Sequence, residues 1–294
     1  MADSVVRALL TESNLKVSVA VLTGVAREGR ERHGLKAAAS SLFAQGMAGA
    51  ALMASLQKGE MRINLQLECD GPLRGFFVDA GAGGDLRGYV KNPDADVELA
   101  EGVFQWRAAL GNSGFISVLR DMGGEYYRSS VELVSMRLAD DLNHYFKISD
   151  QIATHVAITV HRDGDEPLGK VAGVLIQALP DGDVPALQKL ARDLEARLSE
   201  ALDKPGVNDA TALLAELFPG HEALIETPLR FACTCSRERA IATLERLGAD
   251  EVQNIVDTMG STAITCHFCG SKHEISLQDL WGILERLGRP QFKN

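Results

Sequence analysis

The chain is short of positive charge. Its 294 residues carry 40 acidic and 30 basic side chains, a formal net charge of -10. It therefore lacks the basic surplus that holds phosphates or an anionic membrane surface, and neither nucleic acid nor a membrane is expected as a partner. Long hydrophobic runs are scarce as well. The opening stretch MADSVVRALLTESNLKV is broken by Arg7, Glu12 and Lys16 and does not read as a signal peptide. Residues 37–56, AAASSLFAQGMAGAALMASL, carry no charge, but alanine, glycine and serine dominate and Gln45 sits among them. Such small residues bring little transfer energy, and close helix packing in a soluble core uses the same composition. Catalytic fingerprints are missing too: there is no P-loop, no G-x-G-x-x-G and no H-E-x-x-H. HEALI and HEISL begin like the last but have no second histidine, and threonine rather than proline precedes Cys266. An enzyme is not expected.

What is present reads as an α+β protein in three parts. In residues 1–179, LKVSVAVLTGV (15–25) reads as a strand, and an alanine-rich helix follows over roughly 34–57. MRINLQLEC, GFFVDAG, LRGYVKN, GFISVLRD, YRSSVELV, HVAITVH and VAGVLIQAL are short strand-like runs separated by turn clusters such as AGAGGD and DMGGE. Strands that do not alternate with helices predict a core domain with a largely antiparallel sheet and one long helix. Composition changes at residue 180: five of the nine prolines fall between Pro180 and Pro228, and residues 181–226 hold ten acidic against four basic side chains. Leu187, Leu190, Leu194 and Leu198 recur at helical spacing, so residues 180–229 read as a linker of short amphipathic helices that need a neighbour to persist. From residue 230 to 294, two glycine-stopped helices, a hairpin and a final helix make a module with little apolar material of its own.

Cysteine is rare, and its placement is the strongest signal. Four of the five cysteines form two tight pairs, C-x-C (Cys233, Cys235) and C-x-x-C (Cys266, Cys269). Two ligands from each of two segments suit a tetrahedral zinc ion, with Zn–S bonds of about 2.3 Å and sulfurs about 3.8 Å apart. A disulfide needs about 2.05 Å, so oxidation within either pair removes two ligands together. Metal binding in such modules is largely folding energy, so its loss unfolds them. Arg230, Arg237, Arg239 and Lys272 lie near the cysteines in sequence and can offset the -2 charge of a zinc tetrathiolate; His267 reads as an exposed turn residue. Cys69, far from the rest, reads as a small buried hydrophobe. An inert structural zinc ribbon, binding nucleic acid or a protein partner constitutively, stands as the competing reading of the same spacing.

FACTCSRERA followed by TCHFCG resembles the zinc-centre motif of the 33 kDa chaperonin family, and GPLRGFFVDA, LRGYVKNP, SDQIATHVAI and AGVLIQALP resemble family segments in the same order. The resemblance spans essentially the whole chain. It implies a cytoplasmic, ATP-independent holdase of the stress response that is inactive when reduced and holding one zinc ion. It further implies that oxidation forms the disulfides Cys233–Cys235 and Cys266–Cys269, releases zinc and unfolds the module and the metastable linker. The chain would then pass from monomer to homodimer and bind unfolding client proteins. Leu187, Leu190, Leu194 and Leu198 are the proposed client-binding face.

Overall fold

The computed structural model describes residues 3–288 except Asp96, Glu98, Glu101 and Gly102. The chain forms two compact units, residues 1–232 and 233–294.

The first unit opens with an antiparallel pair, β1 (Ser4–Leu10) and β2 (Leu15–Val21), and two helices, α1 (Thr23–His33) and α2 (Ala37–Ser55). There follow β3 (Arg62–Cys69), β4 (Gly75–Gly81), β5 (Asp85–Val90), a minor hairpin of β6 (Leu99–Ala100) and β7 (Val103–Phe104), and α3 (Trp106–Leu110). Next come β8 (Gly114–Asp121), β9 (Tyr126–Glu132), α4 (Leu138–Tyr145) running into a π-helical turn (Phe146–Asp150), β10 (Thr154–Asp163) and β11 (Glu166–Ala178). Three short helices, α5 (Val184–Ala191), α6 (Leu194–Asp203) and α7 (Ala210–Leu217), lead to β12 (Glu222–Pro228) and β13 (Arg230–Phe231).

The strands make two sheets rather than the one anticipated. One has the order β10-β11-β2-β1-β12, the other β13-β5-β4-β3-β8-β9, and every pairing in both is antiparallel except β13 with β5. Helix α2 touches strands of both. It is long and apolar enough to cross a membrane, yet 89% of its apolar window is buried inside the unit. Its small residues explain the fit. A Cβ on Gly46 would come within 2.7 Å of the Phe76 ring, and one on Gly49 within 2.9 Å of Leu142. The helix expected over roughly 34–57 is α2, whereas α1 ahead of it, closed by Gly34 turning left-handed at φ 61°, was not anticipated. The strand expected to reach Val25 stops at Val21, where Thr23 begins that helix.

The five-stranded sheet is buried on both faces. Ala20 and Leu22 join the cluster around α2, and Ser18 reaches Ser55 of α2 at 2.9 Å. Val17, Val19 and Val21, pointing the other way by the period of two, join a second cluster with Val6, Ala8, Val174 and Ile176. Leu187, Leu194, Leu198, Leu202, Leu213, Leu214 and Leu217 close that cluster from α5, α6 and α7, with Leu190 half-buried beside them. The helices have eight to ten residues each, too few to persist alone in water. Asp183 and Asp209 cap α5 and α7 through Ala186 N–H (2.9 Å) and Ala212 N–H (2.8 Å), while Asp193 at φ 55° breaks the leucine series between α5 and α6. The expectation of a wholly helical segment up to residue 229 fails at Glu222–Pro228, which pairs with β1 as a strand.

Leu198 is fully buried in this layer. Leu198→Ala is expected to cost about 2–5 kcal/mol, read as a lower urea midpoint for the helical signal.

Candidate metal centre

The second unit contains α8 (Arg237–Glu245), α9 (Ala249–Met259), a hairpin of β14 (Thr262–Thr265) and β15 (Lys272–Ile275), and α10 (Leu277–Arg286). Local chemistry sets each boundary. Ser236 caps α8 through Arg239 N–H, Gly260 stops α9 at φ 68°, and Ser276 with Asp279 forms a reciprocal capping box on α10. Its core is small: Ala240, Leu244, Val252, Ile275, Leu280, Ile283 and Leu284 are its buried hydrophobic cluster. A unit of about 60 residues with this little burial sits at the edge of independent stability.

The four cysteines converge from two segments. Cys233 and Cys235 lie in the extended stretch ahead of α8; Cys266 and Cys269 occupy the turn between β14 and β15. The turn is tight: Cys269 and Gly270 both direct their N–H at Cys266 O (3.4 and 2.9 Å), and Cys266 N–H reaches Ser271 O at 2.9 Å. All four Sγ atoms fall within 4.8 Å of one another. Two separations that cross between segments are Cys233–Cys266 at 3.8 Å and Cys235–Cys269 at 3.4 Å. Corner spacing in a zinc tetrathiolate is about 3.8 Å, so the donor set matches that ion in number, softness and distance.

Protonation follows from the crowding. Burial and hydrogen bonds to the neighbouring thiols push the Cys235 thiol well above its ordinary range, and burial raises Cys266 too. Burial also opposes ionisation of Cys269, but the Ser271 hydroxyl and N–H, with the thiols of Cys235 and Cys266, bring it down to about 7. Cys269 therefore ionises readily while Cys235 and Cys266 resist, and a cation is needed to hold these sulfurs together as thiolates.

The flanking cations have other work than facing the sulfurs. Arg237 pairs with Asp279 and donates to Glu274 O, Lys272 pairs with Glu274 at 2.7 Å, and Arg230 pairs with Asp85 in the first unit. Arg239 clamps Thr234, the residue between the first two cysteines, at its carbonyl (2.6 Å) and hydroxyl (2.7 Å). His267 is exposed and lies outside the donor cluster. The histidine that matters is one the spacing did not single out: His273 Nε2 lies 3.4 Å from Cys235 Sγ. Its only sequence signal was its place on the second hairpin strand, four residues past Cys269. Cys69 is half-buried at the end of β3, with its thiol pushed up by burial.

Against known proteins, the model of the Hsp33 protein family matches residues 3–276. A 33 kDa chaperonin from Cyanothece sp. is 34% identical, covering 98% of each chain, and one from Bacillus subtilis is 31% identical, covering 98% of this chain and all of its own length. The crystal structure of a 33 kDa chaperonin (heat shock protein 33 homolog) from Thermotoga maritima superposes with a TM-score of 0.81 at 24% identity, covering 97% of this chain and 99% of its own. At that identity the superposition speaks to the fold.

The α10 cap supplies a pH test of the module. The Ser276 hydroxyl, the Arg237 guanidinium and the Ser276 N–H hold the Asp279 carboxyl down at about 2 from its ordinary 3.8. A depressed carboxylate stabilises the fold above its unfolded value, and that contribution fades as pH falls through the folded one. Asp279→Ala is expected to lower the module's stability at neutral pH, with the difference from the parent shrinking between pH 4 and 2 in denaturant titrations.

Proposed function

The chain belongs to the Hsp33 family of 33 kDa chaperonins, and from that premise we propose that it is a redox-regulated, ATP-independent holdase of the cytoplasm. In this reading Cys233, Cys235, Cys266 and Cys269 hold one zinc ion while reduced, and the chain is then inactive. Zinc, when bound, supplies the positive charge that lets four thiolates share a site. The observation that carries the reading is the four-sulfur cluster, drawn from two segments, in a unit whose buried hydrophobic cluster numbers seven side chains among the described residues.

Activation is an oxidation of the cysteines. In each pair two thiolates form one S–S bond and give two electrons to hydrogen peroxide, which takes two protons from the solvent and leaves as two waters. Pairing within segments, Cys233–Cys235 and Cys266–Cys269, leaves the two segments unlinked and the small core unsupported. Pairing between segments, Cys233–Cys266 and Cys235–Cys269, would staple the segments and keep the module closed. A holdase switch requires the first outcome.

The coupling to the linker runs along the chain. Cys233 follows directly on Ala232, and only the two-residue strand β13 separates that end from β12. Loss of order there reaches α5, α6 and α7, which are too short to stay folded off the sheet. Their departure bares two apolar surfaces together: Leu187, Leu190, Leu194 and Leu198, and the sheet face of Val6, Val17, Val19, Val174 and Ile176. These are the surfaces we assign to unfolding clients, with the oxidised chain forming a homodimer.

The decisive experiment treats the full chain with peroxide at mildly elevated temperature. Zinc release, disulfide mapping by mass spectrometry, apolar-dye binding and suppression of aggregation of an unfolding client are followed together. About one zinc ion per chain should leave as within-segment disulfides, dye binding and chaperone activity rise. Retained zinc, cross-segment disulfides, or equal activity in both redox states would overturn the proposal.

A further inference from the structure

Sheet edges are where one folded chain can pair with another, because the outermost strand presents a row of unused N–H and C=O groups. The two large sheets treat their edges differently. On β10, the Asn143 side chain accepts from Val156 N–H at 2.6 Å and donates to Val156 O at 3.0 Å, occupying the outward pair of that residue. At one end of the six-stranded sheet, β13 is two residues long and too short to template a partner. At the other end, β9 is seven residues long and pairs with β8 without a register shift. It contains no proline and no lysine, the usual guards of an edge.

The free side of β9 can be assigned. Leu133 N–H donates to Gly114 O, and Glu125 O accepts from Met122 N–H, so odd-numbered residues turn their backbone groups inward toward β8. Tyr126, Arg128, Ser130 and Glu132 therefore turn theirs outward. Among the described residues, no backbone or side-chain group bonds these outward groups. The side chains of the same four residues share the sheet's outer face: Ser130 Oγ lies 2.5 Å from Ser117 Oγ, and Arg128 reaches the same hydroxyl at 3.5 Å. Tyr126 and Tyr127 are 67% and 54% exposed.

We propose that β9 is a self-pairing edge, on which a second copy of this chain adds its own β9 antiparallel about Ser130. In that register Ser130 faces its symmetry mate in a hydrogen-bonded pair, and Arg128 faces Glu132 of the other copy on both sides of the axis. Sliding the strand so that Arg128 faces Arg128 sets like charges opposite each other, which disfavours that register. An exposed Arg–Glu pair contributes little affinity; here the charges select partner and register, and the backbone ladder supplies attachment. The contact is small and hence weak, so it is populated at high concentration or when other surfaces join it. The linker helices cover the other sheet, which leaves β9 accessible whether or not they are docked. As the interface of the oxidised homodimer, the proposal rests on the chaperone reading above.

Sedimentation velocity on the oxidised full chain, across a concentration series at low and high salt, tests it. Arg128→Glu and Glu132→Arg should each weaken self-association roughly tenfold at low salt, and the double swap should restore it. Ser130→Pro, which removes the outward N–H together with the hydroxyl, should abolish it, whereas Ser130→Ala, which removes the hydroxyl alone, should leave it near the parent's. Circular dichroism and thermal midpoint should stay near the parent's in both. Single variants that associate like the parent, or a double swap without rescue, overturn the proposal. So does a chain monomeric at every concentration that takes up an extended apolar peptide at β9 instead. Zinc release and client protection measured on the same samples separate the two ideas: a parent chain that does both without self-associating sinks only the interface, whereas a parent chain that does neither sinks the chaperone reading.

Discussion

Three helices that cannot stand alone cover a sheet face that cannot stand bare. This mutual dependence organises the first unit. Helices of eight to ten residues have too few turns to offset nucleation, and the sheet under them carries Val17, Val19, Val21, Val174 and Ile176 on the side they cover. Burying a leucine is worth about 1.5–3 kcal/mol, so a layer of leucines holds firmly while the helices are in place. The layer is cooperative for the same reason. One helix lifted off exposes apolar surface on itself and on the sheet, which weakens the hold on its neighbours.

The second unit solves a similar shortage differently. Its seven buried hydrophobic residues are supplemented by polar devices: the Ser276–Asp279 capping box, the Arg237–Asp279 ion pair and the Arg239 clamp on Thr234. These fix the path of the chain between Cys233 and Cys235 and the start of the last helix. They do not add apolar area. The four sulfurs are what draw the stretch before α8 onto the hairpin turn.

How much of this was legible in the sequence varied with how local the cause was. The second unit was readable element by element, because Ser236, Gly260 and Ser276 mark its boundaries and the cysteines declare their own partnership. The strands β3, β4 and β8 announced themselves as short strand-like runs bounded by turn clusters. By contrast, β12 was hidden: EALIETP sits among prolines and acids, and only its pairing with β1, more than 200 residues away, makes it a strand. Helix α1 escaped for a related reason, since VAREGRERH is highly charged and is held by its contacts with β11 and α2. His273 was missed because a lone histidine on a strand carries no signal until the fold sets it beside Cys235.

The Asn143 carboxamide on β10 has a consequence of a different kind. Under the proposed function, a chain that uncovers a broad apolar sheet to catch others would run the hazard of becoming the seed of the aggregate it is meant to prevent. Stickiness perpendicular to a sheet is adhesive and reversible, whereas growth along its rim adds strands without limit. By imitating a neighbouring strand at Val156, one short side chain interrupts the β10 rim of the sheet whose face the proposed function lays open. At that rim, the proposed capture surface and the direction of strand addition lie ninety degrees apart, and only the second is blocked.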